Sequence, residues 1–194
     1  MIKPRDYDSA EARTSFAEDI PQPTPGGHGC IIYKAETVRD DYGEKMVLSI
    51  DIHENGEFDD YYKKRYNRAL SFDKSAKWPG LYRQPILTKD GATSPFFKGL
   101  ITSIENSNSG YRWNWDENSL KGKKVGMVFR PEQYKGKTDG AIHTTVRPAF
   151  ACDYDSVDAM PVPKMKPYVE KKTSSSLFPE TQMTPADSDP DLPF

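Results

Sequence analysis

The chain of 194 residues has no run approaching the roughly 18 consecutive apolar residues that a bilayer crossing needs. Its opening stretch MIKPRDYDSAEAR has no apolar segment of the kind a secretory leader carries, so a cytoplasmic protein is expected. Two cysteines, Cys30 and Cys152, are too few for a disulfide framework, and a reducing compartment suits them. Three histidines, His28, His53 and His143, have no partners at catalytic spacing. A zinc set of His28, Cys30, His143 and Cys152 lacks the paired spacings such sites use. The acids Asp51, Glu54, Glu57, Asp59 and Asp60 could be offered as a metal-dependent nuclease centre, but acids around a turn are more simply a solvated loop. There is no glycine loop to cradle phosphates. The expectation is a binding protein rather than an enzyme, with no cofactor and no metal.

Apolar residues are also scarce. They make up 36% of the chain, beside 16 prolines and 13 glycines, so part of the length is expected to build no core. Basic residues are missing altogether from Thr173 onward, where Glu180, Asp187, Asp189 and Asp191 stand unopposed. The net charge of −2 therefore hides an asymmetry. From His28 to Phe150 there are 20 Lys and Arg against 16 Asp and Glu, a surplus of four positive charges. A mildly basic body with an acidic end is a pattern of nucleic-acid binders.

Residues 1–25 read as a polar arm with a weak helical pattern (Tyr7, Ala10, Phe16) broken by Pro21, Pro23 and Pro25. Strand-forming residues follow in His28–Val38, then a turn at Arg39–Gly43. Lys45–Glu54 alternates, with Met46, Leu48, Ile50 and Ile52 on one face, which predicts a half-buried strand. Asn55-Gly56 is a hairpin signal and predicts a third strand from Glu57 through Arg68. Residues 69–93 are less regular and read as a short extra strand or an ordered loop. Ser94-Pro95 reads as a helix start, and Phe97, Leu100, Ile101 and Ile104 supply one apolar helical face ending by Asn106–Gly110. Two more strands are expected at Lys124–Arg130 and Ala141–Phe150, joined by a loop from Pro131 to Gly140. The fold class is mainly β with one helix. Three strands, a helix and two strands is the order of an OB-fold, a five-stranded Greek-key barrel that binds oligonucleotides. It would span residues 26–158, followed by a disordered Pro/Ser-rich linker over 159–186 and an acidic tip over 187–194.

Single-stranded nucleic acid needs aromatic rings for bases and cations for phosphates. Tyr61-Tyr62-Lys63-Lys64-Arg65-Tyr66-Asn67-Arg68 interleaves the two. On a strand Tyr61, Lys63 and Arg65 share one face, and these are expected to meet DNA, with Tyr62 and Tyr66 turned partly to the core. Lys34 joins them from the first strand. Trp78, Arg112, Trp113 and Trp115 are further stacking candidates, although tryptophans more often close a core. Lys121 and Arg130 are candidates for a phosphate path, in company with Lys123, Lys124, Lys135 and Lys137.

The most specific feature is Asp187-Ser188-Asp189-Pro190-Asp191-Leu192-Pro193-Phe194. It offers a Phe ring, a carboxylate on the same residue and upstream acids, which suits an apolar pocket with a cation at its lip. Asp187, Asp189, Asp191, Leu192, Pro193 and Phe194 are the expected partner-binding residues.

These six residues resemble the acidic C-terminal peptide of bacterial single-stranded DNA-binding proteins. In that family the peptide recruits replication, recombination and repair enzymes, and the body is an OB-fold. The body here resembles instead phage and prophage single-stranded DNA-binding proteins of Gram-positive bacteria, over roughly residues 6–163. Its marks are Gly26-Gly27-His28, Lys45-Met46, the Tyr-Lys-Lys-Arg-Tyr run, Lys77-Trp78, Phe96-Phe97-Lys98, Ser103-Ile104-Glu105 with Asn108-Ser109-Gly110, Leu120 through Arg130, and Ser156-Val157-Asp158. The resemblance implies a protein that coats single-stranded DNA during phage replication and recombination, with room for a homo-oligomer. The alternatives are a recombination mediator or adaptor that binds duplex DNA or protein, and the nuclease.

Overall fold

The computed structural model describes residues 2–9, 20–41, 43–136 and 139–170. Ala10, Phe16, Lys137, the end of the linker and the whole acidic tip lie outside the described residues.

Five antiparallel strands form one sheet: β1 Gly26–Asp40, β2 Gly43–Ile52, β3 Leu81–Pro85, β4 Lys124–Lys135 and β5 Ile142–Cys152, ordered β3-β2-β1-β4-β5. Two helices interrupt them, α1 Tyr61–Phe72 before β3 and α2 Pro95–Ser107 before β4. The period-2 reading of β2 holds, because Met46, Leu48, Ile50 and Ile52 are all buried. Their neighbours across the ladder are Tyr82, opposite Leu48, and Cys30 and Ile32, opposite Ile52 and Ile50. Val125, Met127 and Phe129 of β4 complete that side. The helical face Phe97, Leu100, Ile101 and Ile104 of α2 packs into the same cluster. Each such side chain contributes roughly 1.5–3 kcal/mol on burial.

α2 begins as its sequence indicates. The Ser94 hydroxyl accepts the Phe97 N–H at 3.4 Å and Pro95 fills the first turn. Asn108 ends it and ties it to β4: its amide donates to the Ile104 and Lys124 carbonyls, and its side-chain oxygen accepts the Lys124 N–H.

The third strand expected over Glu57–Arg68 is instead α1, and the sheet's third strand is Leu81–Pro85. Two distant facts override the local strand propensity of the tyrosines. Asp60 takes a left-handed φ of 56°, so the chain does not return from Asn55-Gly56 as a hairpin. Asp51, buried on β2, then accepts the N–H groups of Tyr62 (2.7 Å) and Lys63 (3.1 Å), capping α1 from outside the helix. Once helical, Tyr62 and Tyr66 fall on one side, while Lys63, Lys64 and Arg65 are exposed.

The loop expected over Pro131–Gly140 is mostly strand, because β4 runs on to Lys135 opposite Ile142. Pro131 is tolerated there because β1 has already ended, Gly26 being opposite Phe129. Part of the linker fills that free edge: Lys166 donates its N–H to the Pro131 carbonyl (3.0 Å) and accepts that of Gln133 (2.9 Å). Residues 159–170 are thus not all without fixed structure, as the composition suggests; Lys166 bridges Glu132 of β4 in parallel.

A 3-10 turn at Tyr154–Ala159 lies against β1 and β4. Glycine is required beneath it, since a Cβ on Gly27 would stand 2.0 Å from the Val157 carbonyl oxygen. The arm is anchored at its end: the buried His28 ring lies between Glu54, 3.1 Å from Nδ1, and the Thr24 carbonyl, 2.8 Å from Nε2. Among the described residues no helix is long and apolar enough to cross a membrane.

Candidate nucleic-acid interface

β1 carries an extra residue against β2. Ile32 pairs with Ile50, but Lys34 pairs with Ser49, leaving Tyr33 as the bulge. Tyr33 and Lys34 therefore stand beside each other, on the side of Ser49 and Asp51. The Tyr33 hydroxyl titrates above its ordinary range, first through burial and then through the nearby Asp51 and Asp60 carboxylates.

The chain after α1 brings a tryptophan to this spot. Asp73 closes a tight turn by accepting the Ser75 N–H at 2.8 Å. Gly80 then presses on β2, where a Cβ would lie 2.3 Å from the Ile50 carbonyl oxygen. Trp78 is fixed by its indole N–H, which donates to that same carbonyl at 3.0 Å. Its ring meets Tyr33 edge-on (5.1 Å, 83°) and Tyr66 of α1 at a tilt (5.4 Å, 55°). Three half-buried rings thus form a row that crosses from β1 to α1.

Cations border the row. Lys34 is exposed and paired with Glu36 at 2.5 Å. Lys63 pairs with Asp60 at 2.9 Å, and that hydrogen bond raises its amine above the ordinary lysine range. The turn carrying Lys121 abuts β1, since Gly122 donates its N–H to Ile32 (2.7 Å) and Lys123 accepts that of Ile32 (3.0 Å). Rings for bases with cations for phosphates are the two elements a single-strand site needs.

The comparisons add no family. No family model matches the chain, and a search of curated proteins finds no match.

The structure brings Lys34, Lys63, Trp78 and Lys121 of the expected site to this region. Tyr61 does not belong to it. It is only 3% exposed, inside the core cluster, because helical geometry turns it away from Lys63. Arg65 shares a helix with Lys63 rather than a strand face, and its guanidinium donates to the Tyr61 hydroxyl at 3.0 Å. Trp113 packs on Phe97 (6.1 Å) and donates its N–H to the Asp116 carbonyl, which makes it largely a lid on the core. Trp115 leans on Trp113 at 4.7 Å and is 74% exposed, with a positive φ of 67°. Arg112 beside them lies 3.9 Å from Glu105. These three stand on the loop after α2, apart from the Tyr33–Trp78–Tyr66 row in their contacts. Arg130 is half-buried on β4, opposite Arg147.

Sequence reasoning missed Tyr33 as a site residue. In an unbroken strand Tyr33 would simply alternate with Ile32, and no local signal announces the bulge. Of the acids offered for a nuclease centre, Asp51 accepts three backbone N–H groups, Glu54 lies against His28 and Asp60 pairs with Lys63. Among the described residues no three His, Cys, Asp or Glu gather as a metal site.

Proposed function

We propose that this protein binds single-stranded DNA with little sequence preference, in the cytoplasm of a bacterial host during phage replication and recombination. It acts as a binding protein, not as an enzyme. The observation that carries this reading is the Tyr33–Trp78–Tyr66 row, held by the Trp78–Ile50 hydrogen bond and edged by Lys34 and Lys63. The turn that carries Lys121 is bonded to Ile32, next to Tyr33 in the chain. Base stacking on such rings contributes roughly 1–3 kcal/mol per base and tolerates any sequence.

The strand connections support an OB-type body. β1 pairs with β2 and β4, β2 with β3, and β4 with β5, and a helix joins β3 to β4, as in a Greek-key barrel left open between β3 and β5. The resemblance of the body to phage single-stranded DNA-binding proteins points the same way. The Asp191-Leu192-Pro193-Phe194 segment, with Asp187 and Asp189 upstream, is the proposed recruiter of replication and recombination enzymes.

The test is fluorescence titration with oligo-dT and with duplex at several salt concentrations, magnesium present. Quenching by oligo-dT that weakens steeply with salt, without cleavage, supports the reading. Preference for duplex favours an adaptor, and cleavage favours a nuclease.

A further inference from the structure

β3 and β5 are the outer strands of the sheet, and no ladder joins them. Between them lies a cleft of roughly 280 Å³. Arg65 of α1 with Leu81 and Arg83 of β3 line one side; Tyr134 of β4 with Arg147 and Pro148 of β5 line the other. No acidic residue lines it.

The cleft gathers three guanidiniums with no acid in its lining. Elsewhere Lys34, Lys45, Lys63, Lys135 and Lys166 each have an acid within 3.5 Å, in exposed pairs that an incoming phosphate can exchange. Among the described residues, Arg65, Arg83 and Arg147 have no carboxylate partner; Arg65 bonds only the Tyr61 hydroxyl. Arg147 also stands directly opposite Arg130 in the β4–β5 ladder, a like-charge pair that works against strand pairing. Guanidiniums that line one cleft repel one another less when an anion lies between them. The planar guanidinium fork matches phosphate oxygens better than an ammonium does.

The rest of the lining indicates which anion. Leu81 and Pro148 are apolar. The Tyr134 ring is partly exposed and lies 5.5 Å from the His143 ring, tilted by 31°. Flat rings and apolar walls beside phosphate ligands fit a nucleotide chain, whereas inorganic phosphate would use only the arginines. The cleft is also continuous with the aromatic row. Leu81 pairs with Ser49, and Ser49 with Lys34; Arg65 directly precedes Tyr66.

We propose that the phosphodiester backbone of a single strand leaves the Tyr33–Trp78–Tyr66 row and threads the cleft between β3 and β5. Arg65, Arg83 and Arg147 are its phosphate ligands, and Tyr134 is a base platform at the mouth. This rests on the single-stranded DNA reading above and assigns the backbone path within it.

The test compares oligo-dT binding by the full chain, by Arg83→Gln/Arg147→Gln and by Tyr134→Leu across a salt series, with Lys98→Gln on α2, a lysine outside the cleft lining, as the control. Circular dichroism verifies folding, which the exposed arginines do not govern. Each lost phosphate contact lowers the salt slope by about 0.7, so the double variant loses about 1.4 while Lys98→Gln keeps the full slope. Tyr134→Leu keeps the slope and weakens binding about fivefold or more. If the full chain binds oligo-dT and the double variant matches it in slope and affinity, the path is wrong and the function stands. If the full chain binds no oligo-dT, both fall.

Discussion

Trp78 donates its indole N–H to the backbone carbonyl of Ile50, 28 residues earlier in the chain, at 3.0 Å. The bond fixes a large, half-buried ring against β2 with part of it left exposed. Trp78→Phe removes the donor and shrinks the platform. We expect a stability loss of about 1 kcal/mol in urea unfolding. Oligo-dT affinity should fall about fivefold or more, because the row loses its middle ring. Equal affinity with reduced stability would make Trp78 a packing residue only.

Asp51 holds the start of α1. Asp51→Ala leaves the Ile52, Tyr62 and Lys63 N–H groups without their carboxylate, and urea unfolding should show a loss of about 1–3 kcal/mol. Asp51→Asn keeps one acceptor and should lose less. Burial pushes the Asp51 carboxyl above its ordinary value, outweighing the three N–H donors that push it down. The folded state therefore holds that proton more tightly than the unfolded chain. The part of its stability that is linked to that proton is fully present below about pH 3.9, the unfolded value, and is lost as pH rises through the raised folded value. The advantage of the natural chain over Asp51→Asn should narrow with rising pH across that window.

The Tyr154–Ala159 turn sits where only glycine fits. Gly27→Ala places a methyl 2.0 Å from the Val157 carbonyl oxygen, a backbone atom that must move. Overpacking of this kind costs roughly 1–3 kcal/mol. The melting temperature should drop, and proteolysis should reach residues 154–170 at lower protease concentration. Gly99→Ala, with nothing within 4 Å of its added methyl and a helical position, is the control and should leave the fold unharmed.

Cys30 and Cys152 are buried free thiols, and burial raises both; Cys152 is pushed up to about 11. A raised thiol stays protonated at neutral pH and is a poor nucleophile. A thiol-reactive dye should label the native protein slowly at pH 7.5 and faster as pH climbs toward that value. Full labelling of two thiols should follow at once in denaturant.

What the sequence disclosed tracks how local each cause is. β2 was legible because Met46, Leu48, Ile50 and Ile52 repeat at period 2, and α2 because the Ser94-Pro95 cap is followed directly by an apolar face at helical spacing. α1 was not. Its start depends on Asp51, 11 residues before Tyr62, and on the φ of Asp60, while tyrosine-rich composition spoke for a strand. The extension of β4 past Pro131 was hidden for a similar reason, because it depends on where β1 ends. In the candidate site, Trp78, Lys34, Lys63 and Lys121 were legible as ring and charge. Tyr33 depends on a bulge, and Arg83 and Arg147 meet only because two distant strands form the sheet's open edges.

In the proposed function the Tyr33–Trp78–Tyr66 row and its cations take single-stranded DNA. Tryptophan fluorescence of the full chain, titrated with oligo-dT from low to high salt, tests it most directly. Saturable quenching is expected, with a log–log salt slope steeper than −2 from at least three phosphate contacts and weaker binding of duplex of equal length. No quenching by oligo-dT, or tighter binding of duplex, would contradict it.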